Sequence, residues 1–527
     1  MRQATWWAAS ALTLLAPLRL AARQISPPPT IDTVIVVTEN VFSQTEARSN
    51  SVFAFANALR FKTRPYVVRR ELLFHAGEPF DLVSAAETAR NLRTLGLFRF
   101  VGIDTTRTPD GRFAVVVRTR DGWSTQIQLN AASTGGTFTW AAGLTEINFL
   151  GTGDLVSVIY RKGVDRNSVT IGFRTNRLAG TRLLATGAYQ NFSDGQGGSW
   201  LTGLPFRAFG DRLSIQYFGE AADRRVLQYR VNAVDRVDTT RYRRTAFRNG
   251  AVAAIAPVAE GRRYLRVGVS AEVRREEFVL EQDTGLAAPD TVRGLVGAFA
   301  EFRRANFQVV TYFNGFGLQE DLDLSTSVRA SVRLAPTTFG YDRTGVGPDL
   351  TVSSGVPFPG GYVRGSVNIH GLFTAAGLDS GQVVARMTVG AQLLPRNATF
   401  LHVVAGAQER PVPGREFDLG HGIGPRSFGP HAFVGTRMLW GTLEHRWFTW
   451  DDLGGVLGLG FAGFLDYGGS WYPDQPSRFG GNVGLGLRTG FNRSTGANTG
   501  RIDIGYRFGE GFANRRWVLS FGRGFLF

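Results

Sequence analysis

Six histidines, His75, His370, His402, His421, His431 and His445, and two neighbouring carboxylate pairs, Asp321/Asp323 and Asp451/Asp452, are the side chains that could bind a metal or move a proton. No histidines stand at HExxH or similar ligand spacing. His421 and His431 share one predicted loop, where hydrogen bonding to the surface or lumen is the expected role. Both carboxylate pairs fall near predicted turns, where solvated side chains are the rule, so nothing assigns either pair acid and base roles. Residues 458–463 read Gly-Leu-Gly-Phe-Ala-Gly and match GxGxxG. They lie inside an alternating strand and open no helix, whereas a dinucleotide site needs a strand-to-helix turn that aims backbone N–H groups at phosphate. The chain has no cysteine, which removes thiol nucleophiles, Cys-based zinc sites and disulfides together. The expectation is therefore no enzyme, with no catalytic residue, no metal and no cofactor.

The 527 residues carry 59 Lys+Arg against 43 Asp+Glu, a formal charge of +16, and Lys62 and Lys162 are the only lysines. Arginine clusters at 241–244, 262–263 and 274–275 are spread along predicted strands rather than gathered on one face. That distribution favours lumen lining or lipid-headgroup contact, and no nucleic acid is expected as a partner. Glycine, at 66 residues, is in excess, which suits closely packed strands and many turns.

The elements that must hold these residues fall into distinct parts. Residues 1–22 read as a secretory signal, with Arg2, a short apolar run and small residues Ala21 and Ala22 before a Pro-rich linker at 23–30. A buried N-terminal helix is the alternative. Residues 31–121 carry the helical patterns. A β-branched run at 31–37 is followed by a segment at 65–74 with Val67, Val68, Leu72 and Leu73. A second helix has Asp81 as its cap, Leu82, Ala85, Ala89, Leu92 and Leu95 at helical spacing, and Gly96 as its end. Strands at 98–105 and 112–120 flank the turn Pro109-Asp110-Gly111. The order strand, helix, helix, strand, strand makes a small α+β module.

From Ser124 to the end the period is two. Leu265, Val267, Val269, Ala271 and Val273 alternate with Arg266, Gly268, Ser270, Glu272 and Arg274. Thr326, Val328, Ala330, Val332 and Leu334 do the same against Ser325, Ser327, Arg329, Ser331 and Arg333. No run of 18 apolar residues supplies a transmembrane helix, so a membrane could be crossed only by a closed barrel. Alternation alone also fits a secreted sandwich or propeller. Segments of ten or more residues, polar stretches at 194–199 and 281–290 between tight turns, and an aromatic last residue favour the barrel.

The N-terminal module and the last quarter resemble the BamA/TamA family of outer-membrane assembly barrels. Asn91-Leu92-Arg93-Thr94-Leu95-Gly96-Leu97-Phe98-Arg99 is similar to the turn from second helix into strand of a POTRA module, and Asn148-Phe149-Leu150-Gly151-Thr152-Gly153 to a segment near the start of the family's barrel. Pro425-Arg426-Ser427-Phe428 resembles the Val/Ile-Arg-Gly-Phe/Tyr motif of the sixth extracellular loop, with serine in place of the glycine. The resemblance implies that Arg426, with Phe428, folds into the lumen and meets Glu444 and Asp466 on the two following strands. Parity agrees independently for Asp466, because Leu457, Leu459, Phe461, Leu465 and Tyr467 share the opposite face of its strand. An ordinary lumen salt bridge without functional coupling is the other reading. Residues 484–488 and 501–508 look like the family's penultimate strands. Gly522-Arg523-Gly524-Phe525-Leu526-Phe527 is similar to its C-terminal signal, making Gly522, Gly524, Phe525 and Phe527 candidate seam residues.

By resemblance the fold is an all-β transmembrane barrel of about 16 antiparallel strands over 122–527, five of them after Arg426, with a POTRA-like periplasmic domain at 31–121. The implied location is the cell outer membrane. The implied activity is assembly or insertion of outer-membrane proteins through a seam between the first strand, near 124–132, and the last, at 517–527. Partners would be the outer-membrane lipid bilayer and unfolded outer-membrane protein clients, with periplasmic or lipoprotein accessory factors as further candidates. An arginine-lined pore or polypeptide secretion channel is the alternative, and a surface-adhesion role stays open.

Overall fold

Period-two alternation places every second side chain on the same face, and here the apolar face is the outer one. The computed structural model describes residues 28–58, 60–134, 137–231, 237–281, 291–421, 423–493, 499–512 and 515–523. Within these, twenty antiparallel strands follow one another around a ring, from Thr125–Thr134 to Trp517–Arg523. Outward positions such as Leu129, Val269, Leu485 and Leu519 are exposed, while Arg426, Arg446, Arg488, Glu444, Asp466 and Asp503 are buried inside. An apolar exterior around a charged interior is the reverse of a soluble protein and is what a barrel immersed in lipid requires. No helix among the described residues is long and apolar enough to cross a membrane.

The count of twenty corrects the expected sixteen. Five strands follow Arg426 as anticipated, Arg437–Leu453, Leu457–Trp471, Gly480–Phe491, Thr499–Gly509 and Trp517–Arg523, so all the surplus precedes it. Short strands in the early part, including Asp154–Lys162, Asn167–Thr175, Leu184–Phe192 and Gly195–Leu204, are joined by tight connections. The stretch at 194–199 read as a polar loop is mostly strand, because its glycines and Gln196 pair with Ala221 to Arg224 next door. The stretch at 281–290 lies outside the described residues except for Glu281.

Ring closure is described for only part of the seam, because residues 135–136 and 524–527 lie outside the described residues. Neighbours such as Leu213–Val231 and Val237–Glu260 pair along their whole length, from Leu213 with Ile255 to Val231 with Val237. Between the last strand and the first, the described residues pair only at Phe521 opposite Ser133, one residue beyond the expected 124–132. Gly522 pairs with Arg501 on the preceding strand. Gly524, Phe525 and Phe527 lie outside the described residues, as does the signal segment 1–22.

The module over 31–121 forms a mixed sheet in which Thr33–Glu39 runs parallel to Phe113–Asp121, and Phe98–Arg107 pairs antiparallel to the latter. The Leu82–Thr94 helix starts as expected: the Asp81 carboxylate accepts from the N–H groups of Val83 at 3.1 Å and Ser84 at 2.9 Å. The helix expected over 65–74 is confined to Pro65–Arg69, and two further short helices, Gln44–Ser49 and Ser51–Ala58, precede it. Ile31, Val67, Val68, Leu92, Leu97 and Val115 form the module's core.

This module sits at one mouth of the barrel. Arg93 grips Asp321 through two bonds of 2.6 Å, Arg177 reaches Glu71 at 2.9 Å, and Arg493 reaches Glu46 at 3.0 Å. Asp321 and Asp323, expected in solvated turns, instead belong to a hairpin, Phe307–Val310 with Glu320–Asp323, whose tip enters the lumen. Phe313, Phe316 and Leu324 of this hairpin are buried against Tyr362, Phe400 and Phe448 of the wall. Its fit depends on glycine: a Cβ at Gly458 or Gly490 would come within 2.3 Å of the Phe316 ring. From the opposite mouth a second segment, 410–436, folds inward, with its own small ladder Phe417–Leu419/Phe433–Gly435.

Candidate functional site

The inward segment 410–436 turns on unusual backbone, with Gly420 at φ 125° and Gly424 at φ 80°, conformations that favour glycine. Ser427 is not among the residues of positive φ, so the serine at the third place of the motif needs no left-handed backbone. It is fully buried. Space for it comes from Gly505, where a Cβ would stand 2.4 Å from the Ser427 hydroxyl. Phe428 is also fully buried and packs among Leu419, Phe433, Met438 and Trp440.

Arg426, 1% exposed, is brought together with both expected partners. Its Nε and Nη2 donate to the two oxygens of Asp466 at 2.7 and 2.9 Å, and Nη1 donates to Glu444 at 2.6 Å. The side-on pairing with Asp466 fixes the plane of the guanidinium as well as attracting it. Its backbone N–H adds a bond to Asp466 at 3.1 Å, and the Phe464 ring lies 3.9 Å beneath the charge. The carboxylate is held from below as well, by Thr442 at 2.6 Å and Asn482 at 2.9 Å. Thr442 and Phe464 share the parity of Glu444 and Asp466 on their own strands, and Asn482 pairs directly opposite Asp466 on the next.

Arg446, to which sequence reasoning gave no role, completes the arrangement. Its Nε donates to the second oxygen of Glu444 at 2.7 Å, and its Nη1 donates to the Phe313 carbonyl at 2.6 Å and to Asn314 Oδ1 at 3.2 Å. One carboxylate, Glu444, thus joins the segment entering from one mouth, through Arg426, to the hairpin entering from the other, through Arg446. Arg488 lies 3.5 Å from Glu444 and 2.6 Å from Asp503, so the ion pairs continue across the next two strands toward the seam. Three guanidiniums, Arg426, Arg446 and Arg488, meet three carboxylates, Glu444, Asp466 and Asp503, all nearly inaccessible to solvent. Charge balance is what makes their burial tolerable. The signal for Arg446 was its i, i+2 relation to Glu444 in a strand, which guarantees a shared face.

Nearer the far mouth, His431 ties the same segment to the barrel rim. Its Nδ1 stands 2.6 Å from Asp418 and its Nε2 3.2 Å from Asp165, and its ring stacks on Tyr229 at 3.6 Å. Burial lowers the affinity of the imidazole for a proton, but the two carboxylates outweigh it and push the pKa up to about 9. His421 instead faces Thr139 at 3.2 Å. The GxGxxG stretch lies within the strand Leu457–Trp471, as its alternation indicated.

No protein-family model matches the chain, and no curated protein matches it. Among solved structures, CdiB from Escherichia coli is similar over 97% of this chain and 93% of its own, at 12% identity and a TM-score of 0.46. CdiB from Acinetobacter baumannii covers 94% and 74% at 12% identity and a TM-score of 0.45. BamA from Haemophilus ducreyi lacking POTRA domains 1–3 covers 94% and 85% at 12% identity and a TM-score of 0.37.

Proposed function

We propose that this chain is an outer-membrane barrel that inserts or translocates other polypeptides through the seam between its first and last strands, with the 31–121 module in the periplasm as the receiving end. The observation that carries this reading is the seam itself, joined among the described residues at one position, Phe521 with Ser133. Opening of this seam would release the N–H and C=O groups of the strands Thr125–Thr134 and Trp517–Arg523 from each other. Such groups are a template on which an incoming strand can form its own ladder. No nucleotide or metal is called for, because strand pairing and lipid burial drive the process.

In this account the buried ion pairs hold one side of the seam rigid while the other opens. Arg426 clamps the strands carrying Glu444 and Asp466, and Arg488 with Asp503 extends the clamp to the strand that pairs with Trp517–Arg523. A passive arginine-lined pore fits less well, because the 306–325 hairpin and the 410–436 segment both occupy the lumen. A polypeptide secretion channel that opens on demand would use the same parts. Depleting the protein and quantifying outer-membrane and extracellular proteins separates the readings. Insertion predicts loss of barrel proteins from the membrane, whereas secretion predicts intact barrels and a missing extracellular polypeptide. Unchanged levels of both would contradict the proposal.

A further inference from the structure

At the mouth opposite the module, a cavity of about 240 Å³ lies between the inward segment and the wall, lined by Arg166, Arg224, Arg244 and Arg415 among others. Its position follows from the strand Leu213–Val231: just before that strand, the N–H of Phe209 bonds Glu87 of the module at 2.7 Å, so Arg224 and Val226 lie toward the far end.

The charges around the cavity are not equally engaged. Arg244 is occupied, donating to Glu276 at 2.7 Å and to Glu220 at 3.1 Å. Arg225 is paired with Glu281 at 2.7 Å, and His431 holds Asp165 and Asp418. Glu416 accepts from Gln228 at 2.6 Å. The remaining three guanidiniums lack such satisfaction. Arg224 has no ion pair among the described residues, its Nε is buried without a hydrogen-bond partner, and its charge rests 5.2 Å from the Phe192 ring. Among the described residues Arg166 pairs only with Asp194, at 3.6 Å, and its Nη1 is likewise buried without a hydrogen bond. Arg415, exposed on the segment that crosses the cavity, has no ion pair among the described residues.

Buried N–H donors without acceptors are costly, and guanidinium forks match oxyanions through pairs of parallel bonds. Three forks on three separate elements can be served together by a tetrahedral anion with acceptors on several sides. A planar carboxylate, with two oxygens, serves fewer. The volume equals roughly eight waters at about 30 Å³ each, enough for a phosphate or a phosphate on one sugar, and below the ~300 Å³ at which drug-sized pockets begin. We propose that this cavity binds a phosphate group between Arg166, Arg224 and Arg415, carried either by inorganic phosphate or by a phosphorylated saccharide headgroup. None of the three arginines belongs to the first or last strand, and binding of a small anion is read without any client, so its test does not depend on how clients are handled.

The test is calorimetric titration of the detergent-purified full-length protein, at constant ionic strength, with inorganic phosphate and separately with glucosamine 1-phosphate. Saturable binding of at least one probe is expected, weakened tenfold or more by Arg224→Ala and by Arg415→Ala. Arg364→Ala removes a charge beside Asp323 toward the other mouth and should leave it unchanged. Equal affinity for the two probes identifies free phosphate as sufficient, and tighter binding of the sugar phosphate identifies the headgroup. Absence of saturable binding overturns the proposal, as does equal weakening by Arg224→Ala and Arg364→Ala, which would mean general lumen charge. If Arg224→Ala fails to fold, Arg415→Ala, on an exposed crossing segment, decides alone.

Discussion

Replacing Arg426 by alanine strips Asp466 of its cation while leaving Glu444 with Arg446 and Arg488. Asp466, fully buried, would keep only uncharged donors, Thr442, Asn482 and the backbone N–H of residue 426. Breaking a buried pair by removing one partner costs about 3–5 kcal/mol, because the other charge stays in a poorly solvating site. The least costly relaxation is release of the inward segment, which admits water to Asp466. Since ~1.4 kcal/mol is a factor of ten, the open population should rise on the order of a hundredfold or more. A cysteine-free chain allows this to be read directly: Ser427→Cys is a small change at a fully buried position, and its rate of maleimide labelling reports opening. Arg426→Ala in that background should accelerate labelling about a hundredfold. Arg426→Lys, which keeps charge but not the side-on fork, should fall between. Adding Asp466→Asn to Arg426→Ala removes the orphaned charge, so the double variant should label more slowly than Arg426→Ala alone. Labelling within twofold of the parent in Arg426→Ala would refute the clamp.

Arg446→Ala cuts the bonds to Phe313 and Asn314 and should free the hairpin, raising conductance in planar bilayers and exposing Leu324→Cys to labelling, while the parent stays closed. Gly458→Ala or Gly490→Ala drives a Cβ into the Phe316 ring and should destabilise the seated hairpin by about 1–3 kcal/mol; in a Phe316→Ala background, which removes the clash at its own cost in buried surface, either substitution should lower thermal stability little further. His431 has its folded pKa raised to about 9 from about 6.5 when unfolded, so its contribution is complete below about pH 6.5 and is lost as pH rises through 9. That contribution is on the order of 3 kcal/mol. Labelling of a rim cysteine, divided by that of a free thiol at the same pH to remove the rise in thiolate, should therefore speed up from pH 6.5 to 9, and His431→Gln should flatten that ratio; a ratio unchanged by the substitution would discard the latch.

The barrel class was legible from alternation together with the long strand segments and the family resemblance, and the face that Asp466 shares from alternation alone, since parity needs only the strand itself. The cap at Asp81 and the five strands after Arg426 were legible for the same local reason. Strand number was not, because the pattern marks faces and does not say whether a short polar stretch turns or continues, as Gly195–Leu204 does. The hairpin at 306–325 was missed for a different cause. Whether a connection points outward or folds into the lumen is decided by distant partners, here Phe316 against Gly458 and Gly490 and Arg93 on Asp321. Without that hairpin in view, Arg446 had no visible purpose. Its parity with Glu444 placed it correctly, but the groups it bonds lie more than a hundred residues away.

Entry of polypeptides into the membrane through an opening seam is tested most directly at the position where the described residues of the seam pair. Ser133→Cys with Phe521→Cys places two thiols opposite one another across it in a chain that has no other cysteine. Proteoliposomes containing this variant would be assayed for insertion of an unfolded barrel protein after oxidation and again after reduction. Oxidation is expected to arrest insertion and reductant to restore it, with each single-cysteine variant active throughout. Insertion at the parental rate with a seam shown by gel shift to be fully cross-linked would contradict entry through that seam.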